Sequence, residues 1–389
     1  MLENKGTSRW TIPINVETVF VFYVFVTYVC AVHVAIFEPF KAVCDYVSLF
    51  FILIMFWLSR KISFCSITFF VVSAAIYFAC IYVNTGGIGS VVTILMPFLL
   101  VFSLSRTSLT PKTKNILAAF AVCFLLFAFV RSWVYRADWL YHRFHDVNPN
   151  TMGMYVMYSF IILLVFLDPR RRRNKRIVFV FFTISAISMV NYESRMCLII
   201  MLLTFILSAF SGKISNRILL LIVFAFTAVG TAFPFVYTML YNNNVELTFL
   251  NKSLYTGREQ IWSDMFSRFG SDGAKWLLGM GSHYAGEGIN IHNNFFAMIV
   301  NFGILGFFLY FGYFFAKLKK VLSFQISDET KRCVIAFSTT VLALGCTEVT
   351  SLWAVTYPFA YMFFSQALGS LRNVYTAVKA ETRPNTPLI

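Results

Sequence analysis

Residues 115–134 read NILAAFAVCFLLFAFVRSWV. Twenty residues carrying one charge, Arg131, would rise about 30 Å as an α-helix, roughly the thickness of a bilayer's hydrocarbon core. Similar runs recur through the 389 residues, which are 59% hydrophobic and 13% charged. Such a chain cannot hide its apolar surface in one water-soluble core, so the runs predict a multi-pass membrane protein. They are rich in Phe, Ile, Val and Leu and lack the alternation of an outer-membrane barrel. Helices are the expected spanning element, because each satisfies its own backbone hydrogen bonds in lipid. No cleavable signal peptide is read, since the first apolar run starts near Val16 with no small-residue cleavage site after it.

About twelve spans are expected, forming a single membrane domain over 1–389: 16–37, 42–59, 63–83, 90–104, 115–134, 151–167, 177–192, 195–211, 218–240, 292–316, 333–346 and 353–371. Their connections alternate in charge. One set holds Lys5 and Arg9, Arg60 and Lys61, Arg106, Lys112 and Lys114, and the run RRRRNKR of the 168–176 loop. It continues with Lys213 and Arg217, the KLKK and KR clusters around 317–332, and Arg372, Lys379 and Arg383. Positive-inside bias places this set and both termini in the cytoplasm. The net charge of +15 is then a topology signal, with anionic lipid contact as a by-product, and nucleic acid is not an expected partner. The eight cysteines, Cys30, Cys44, Cys65, Cys80, Cys123, Cys197, Cys333 and Cys346, are scattered without a CxxC pair and read as small packing residues.

Two outward connections are long: 133–150, WVYRADWLYHRFHDVNPN, and the 241–291 loop. Long connections in compact proteins are usually functional or disordered. The 241–291 loop carries two tryptophans, many apolar residues and balanced charge, which argues for order. Within it, SLYTGREQIWSDMFSRFG at 253–270 places Thr256 and Glu259 at capping-box spacing. Ile261, Trp262, Met265, Phe266 and Phe269 then make one apolar stripe on a helix too short to span, suited to lying at the membrane surface. Arg258 falls in the first turn, at the positive end of the helix dipole. It is out of place there unless an anion is near, and Gly257 would let that anion approach the backbone. An ordinary surface arginine is the alternative.

Arg195, in NYESRMCLIIM at 191–201, opens an apolar run at a second helix N-terminus, with Glu193 beside it as a partner or as a possible base. His292, in GINIHNNFFAMIVNFGILGFF at 288–308, opens a third, where a structural cap is the plainer role. Together, two arginines suit a diphosphate and a histidine suits a general base. No P-loop, Rossmann glycine pattern or metal cluster is read, so neither metal nor cofactor is expected. His142, His145 and Asp146 form an HxxHD group that fits a wet loop. A diphosphate on the outer side of a plasma membrane would arrive on a lipid, as a polyprenyl-diphosphate glycan with an activated leaving group.

Four stretches resemble motifs of the O-antigen polymerase and O-antigen ligase superfamily of bacterial envelopes. They are NPNTMG at 148–153, ESRMCLII at 193–200, TGREQIW at 256–262 and WLLGMGSHYAGEGINIHNNFFAMIVNFGILGF at 276–307. The resemblance covers the second half of the chain in order, while the first 130 residues match in hydropathy alone. It implies an inverting, metal-independent glycosyltransferase of the membrane-embedded GT-C-like class acting on undecaprenyl-diphosphate-linked oligosaccharides. Arg195 and Arg258 fall on the arginines that bind the donor's diphosphate, and His292 on the histidine that assists acceptor attack. Asn293 is carried over as an orienting partner, with Glu193, Gly257, Glu259 and Asn150 in support. Many members have serine, threonine or an apolar residue after HN, whereas this chain has Asn294, which leaves the hydrogen-bond pattern open.

The resemblance favours a repeat-unit polymerase for O-antigen or capsule over a ligase that transfers glycan to lipid A–core, and a chain-length regulator is an implied partner. A lipid-linked oligosaccharide flippase is the rival of another class, and a membrane scaffold is the third. His33 and Asp45 are hints of interior polarity, and Glu348 sits at an outward turn that serves either reading.

Overall fold

In the computed structural model of the chain, the run at 115–134 lies inside one helix, Pro111–Arg136. The structure describes residues 15–34, 40–59, 63–84, 88–136, 149–168, 171–245, 248–249, 252–253, 257–281, 291–349 and 357–381. In chain order these form α1 (Val16–Val34), α2 (Phe40–Leu58), α3 (Phe64–Asn84), α4 (Ile88–Leu104), α5 (Pro111–Arg136), α6 (Pro149–Phe166) and α7 (Arg172–Asn191). Then follow α8 (Arg195–Ala209), α9 (Asn216–Asn242), β1 (Thr248–Phe249), β2 (Lys252–Ser253), α10 (Arg258–Phe269), α11 (Gly273–Leu278), α12 (Asn294–Leu322), α13 (Asp328–Phe337) and α14 (Tyr357–Glu381). The two short strands pair antiparallel inside the 241–291 loop, a hairpin the sequence reading did not anticipate.

Among the described residues, four helices are long and apolar enough to cross a membrane: Phe64–Val83, Pro111–Val134, Asn216–Asn242 and Asn294–Leu322. They are consistent with a multi-pass membrane protein. All four turn large apolar side chains outward, for example Val71 and Phe78 on α3, Leu126 and Val130 on α5, Leu221 and Phe224 on α9, and Ile304 and Phe308 on α12.

The expected twelve-span, GT-C-like arrangement is corrected. Hydropathy scores an apolar run alike whether its partner is lipid or protein, and several runs prove shorter or differently built. Residues 152–165 of α6 are buried throughout, so this apolar helix is packed inside protein, against α5, α7 and α8. The α8 helix has 15 residues, about 22 Å of rise, well short of a hydrocarbon core. The α7 helix begins with RRNKR. The run at 333–346 is not one α-helix: α13 ends at Phe337 and passes into a π-helical turn, Ser338–Ala343, then a 3-10 turn, Leu344–Cys346. The run at 292–316 lies in one of the four spanning-length helices, Asn294–Leu322, but that helix is broken at Gly303, which leaves helical geometry at φ 67°, ψ −174°.

The HxxHD group, Thr256, Asn148, Arg60, Lys61, residues 282–290 and the extreme termini lie outside the described residues, as do the side chains of His33, Cys44 and Asp45.

Candidate functional site

The described residues place a buried carboxylate where α13's continuation ends. Past the 3-10 turn, the backbone N–H of Glu348 donates to the Leu344 carbonyl at 3.0 Å. Its side chain is 7% exposed and faces two partners. Oε1 accepts from Arg258 Nη2 at 3.1 Å, and Oε2 lies 3.4 Å from His292 Nδ1. Two of the sequence-derived site residues therefore meet on one carboxylate. The internal anion also answers why an arginine stands in the first turn of α10.

Arg258 is delivered by the local fold of α10. Gly257, not Thr256, is the N-cap, at φ 87°, and the Glu259 carboxylate accepts the Gly257 N–H at 2.8 Å from two residues on, not from the capping-box position three residues on. The stripe expected at a membrane surface is instead folded into the protein. Trp262, Met265 and Phe269 are fully buried. Trp262 packs edge-on against Phe233 and Tyr237 of α9, and Phe269 stacks on Trp276 of α11 with centroids 4.4 Å apart. The stripe found apolar partners in α9 and α12, so lipid is not needed to cover it.

His292 is held from both sides. The Trp262 indole N–H donates to the Ile291 carbonyl at 2.6 Å. On the other side, Asn293 is wholly buried. Its Oδ1 accepts the Phe296 N–H at 2.7 Å and caps α12, while its Nδ2 donates to the carbonyls of Gly230 at 3.1 Å and Cys346 at 2.9 Å. Between these anchors His292 adopts φ 53°, one of three described non-glycine residues in the left-handed region. A conformation of this kind costs of order 1–3 kcal/mol and persists where the surroundings impose it. Asn293 spends its side chain on three backbone groups and so fixes the chain on the C-terminal side of His292.

The glycines of the 276–307 stretch have a structural purpose. Gly279, at φ 84°, crosses the Gly303 break backbone to backbone. A Cβ on Gly303 would stand 2.2 Å from the Leu277 carbonyl oxygen, and one on Gly279 would stand 2.6 Å from the Phe302 nitrogen. The Met280 N–H donates to the Val300 carbonyl at 2.7 Å beside this crossing. The break in α12 is therefore locked by α11, one helical segment below His292.

Arg195 and Glu193 sit on the neighbouring α7–α8 turn. Tyr192 donates its hydroxyl to the Ala128 carbonyl at 3.1 Å, and Asn191 accepts from Arg136 at 3.0 Å and donates to Ser132 at 3.1 Å, so α5 anchors the turn. Glu193 is exposed at φ 57°. Arg195 is exposed, and its guanidinium makes no hydrogen bond or ion pair among the described residues. Its helix packs against the 3-10 turn that leads to Glu348. Asn150 is in the first turn of α6, whose Gly153 abuts Ser194: a Cβ there would meet the Ser194 hydroxyl at 2.1 Å. The NPNTMG and ESR stretches are thus neighbours in space.

Glu348 is the residue the sequence reading underweighted. The available signal was a lone acid, CTEVT at 346–350, in an otherwise apolar region. No group of three or more His, Cys, Asp or Glu side chains among the described residues is arranged to hold a metal ion. No family model, curated protein or solved structure matches the chain.

Proposed function

We propose that the protein is a glycosyltransferase that joins polyprenyl-diphosphate-linked oligosaccharide repeat units, a surface-polysaccharide polymerase of a bacterial plasma membrane. Both termini lie in the cytoplasm and the site faces outward. The observation that carries this reading is the meeting of Arg258 and His292 on Glu348, with the open guanidinium of Arg195 on the adjacent helix N-terminus. Cations and a proton acceptor in one place are what departure of a diphosphate and attack by a hydroxyl require.

In this reading the acceptor sugar hydroxyl attacks the donor's anomeric carbon from the face opposite the diphosphate. The bond from that carbon to the phosphate oxygen breaks, and its electron pair leaves with the diphosphate. Arg195 and Arg258 stabilise the charge that grows there, so they act mainly in the transition state. His292 takes the hydroxyl proton, directly or through one water. Undecaprenyl diphosphate is the leaving group, and a chain-length regulator is a proposed partner.

The test is purified protein in lipid with its polyprenyl-diphosphate repeat unit, the products resolved by size. A ladder of lengthened glycans, lost with Arg258→Ala and His292→Ala, is expected. Transfer only after lipid A–core is added would make the protein a ligase using the same site. No transfer with either acceptor would overturn the glycosyltransferase reading and leave the flippase.

A further inference from the structure

Glu348 has no part in the chemistry above, yet it occupies the point where two proposed site residues meet. Arg258 is 22% exposed and His292 29%, so the carboxylate forms the floor of the cluster and its partners the more accessible wall. The three are not held alike. The Asn293 amide ties α12's N-terminus to the Cys346 carbonyl, two residues before Glu348, so His292 and Glu348 ride on one bonded unit. Arg258 comes from a separate helix and reaches the carboxylate through its side chain. The segment delivering Glu348 passes through a π-helical turn, a distortion frequent at functional sites.

The contact with Glu348 takes one N–H of Arg258 Nη2 and offsets the guanidinium's charge, so an incoming diphosphate competes with the carboxylate for the full bidentate face. We propose that Glu348 is a positioning residue that works by exchange. It holds Arg258 while the site is empty, yields it to an incoming lipid-linked diphosphate, and then serves His292 alone. The inference rests on the diphosphate reading above. A diphosphate offers more charge than a carboxylate and a bidentate match to the guanidinium, so it draws Arg258 away. The carboxylate left behind is buried and needs a donor. His292 Nδ1–H supplies it, which puts the lone pair on Nε2, the tautomer a general base requires. When Nε2 takes the acceptor proton, the imidazolium pairs with the Glu348 carboxylate. Loading the donor and readying the base become one event.

The test uses the full chain in lipid nanodiscs and geranylgeranyl diphosphate as probe. Glu348→Gln keeps the side chain's shape and removes the charge that competes for Arg258. Its Kd for the probe should fall roughly twofold to fivefold, the scale of a partly exposed ion pair. Its kcat in the glycan ladder assay should fall by at least about tenfold, because His292 loses its anionic partner. A merely structural role would weaken binding and turnover together. If the wild type binds in an Arg258-dependent way while Glu348→Gln binds equally or less well, exchange is refuted and the diphosphate reading stands. If neither protein binds the probe, the diphosphate reading falls and exchange falls with it. Should Glu348→Gln not fold, Glu348→Asp keeps the charge but is one methylene short of bridging both partners. It should shift Kd and kcat in the same directions by less, and weaker binding there also refutes exchange. Inorganic pyrophosphate should show the same ratio of affinities at a weaker level; affinity equal to the lipid's would reassign the site to a free anion.

Discussion

His292 stands in a left-handed backbone conformation between a carbonyl held by Trp262 and a side-chain cap supplied by Asn293. A positive φ is uncommon for any non-glycine residue, and the bonds on either side of His292 hold it there. Replacing the imidazole should therefore separate chemistry from folding. His292→Ala should lower turnover by about 10²–10⁴-fold, the range of general-base contributions, with little change in thermal unfolding. Arg258→Ala should lower it by about 10²–10³-fold and cost about 1–3 kcal/mol of stability, because the partly exposed guanidinium leaves the buried Glu348 carboxylate with His292 as its remaining partner. Asn293→Ala should do the reverse. It removes a helix cap and two hydrogen bonds to buried carbonyls, so a loss of about 2–4 kcal/mol is expected in denaturant unfolding. Full stability in that variant would contradict the anchoring role. The resemblance implied an orienting role for Asn293; in the fold its amide bonds the Phe296 N–H and the Gly230 and Cys346 carbonyls. Glu348 was less visible because a single acid at a turn carries no spacing that marks a partner 56 or 90 residues away.

At the scale of elements, the break in α12 and the start of α10 decide where the site residues point. Gly279 and Gly303 cross with no room for a methyl group on either. Gly303→Ala should destabilise by about 2–4 kcal/mol through backbone overlap and a positive φ, and it should shift His292 enough to reduce turnover in whatever protein folds. Trp262→Phe keeps most of the packing but strips a 2.6 Å donor from the Ile291 carbonyl. A cost of about 1–3 kcal/mol is expected from that buried acceptor alone, read by thermal unfolding. The stripe on α10 was legible as a pattern, yet its partner was not. Periodicity says which face is apolar and is silent on whether lipid or another helix covers it. The π-helical and 3-10 turns after α13 were invisible for a related reason: the backbone departs from α-geometry there without a proline or other marker in STTVLALGC.

Across the whole molecule the site cluster and a second polar cluster mark opposite ends of the helices. The second joins Lys114 to Glu329, Lys331 to the Ile214 carbonyl, Asn216 to the Phe324 carbonyl and Arg332 to Asp168. It lies among the basic connections. If the proposed orientation holds, a membrane-impermeant maleimide should label Gln260→Cys from outside intact cells, and Lys175→Cys only after permeabilisation. Both positions are exposed, and the native cysteines would be replaced beforehand. Labelling in the reverse pattern would invert the topology and remove the outward site.

Composition and periodicity by themselves determined that the chain is helical, rich in bilayer-length apolar runs, and equipped with Arg195, Arg258 and His292 at helix starts. Those are local properties, carried by hydropathy and by the dipole and free N–H groups of a helix end. Tertiary structure alone decided that the apolar residues 152–165 of α6 are covered by protein, whereas four described helices have the length and composition to cross a membrane. It alone brought Arg258 and His292 onto Glu348, because a buried carboxylate needs donors that only packing of three separate segments can supply.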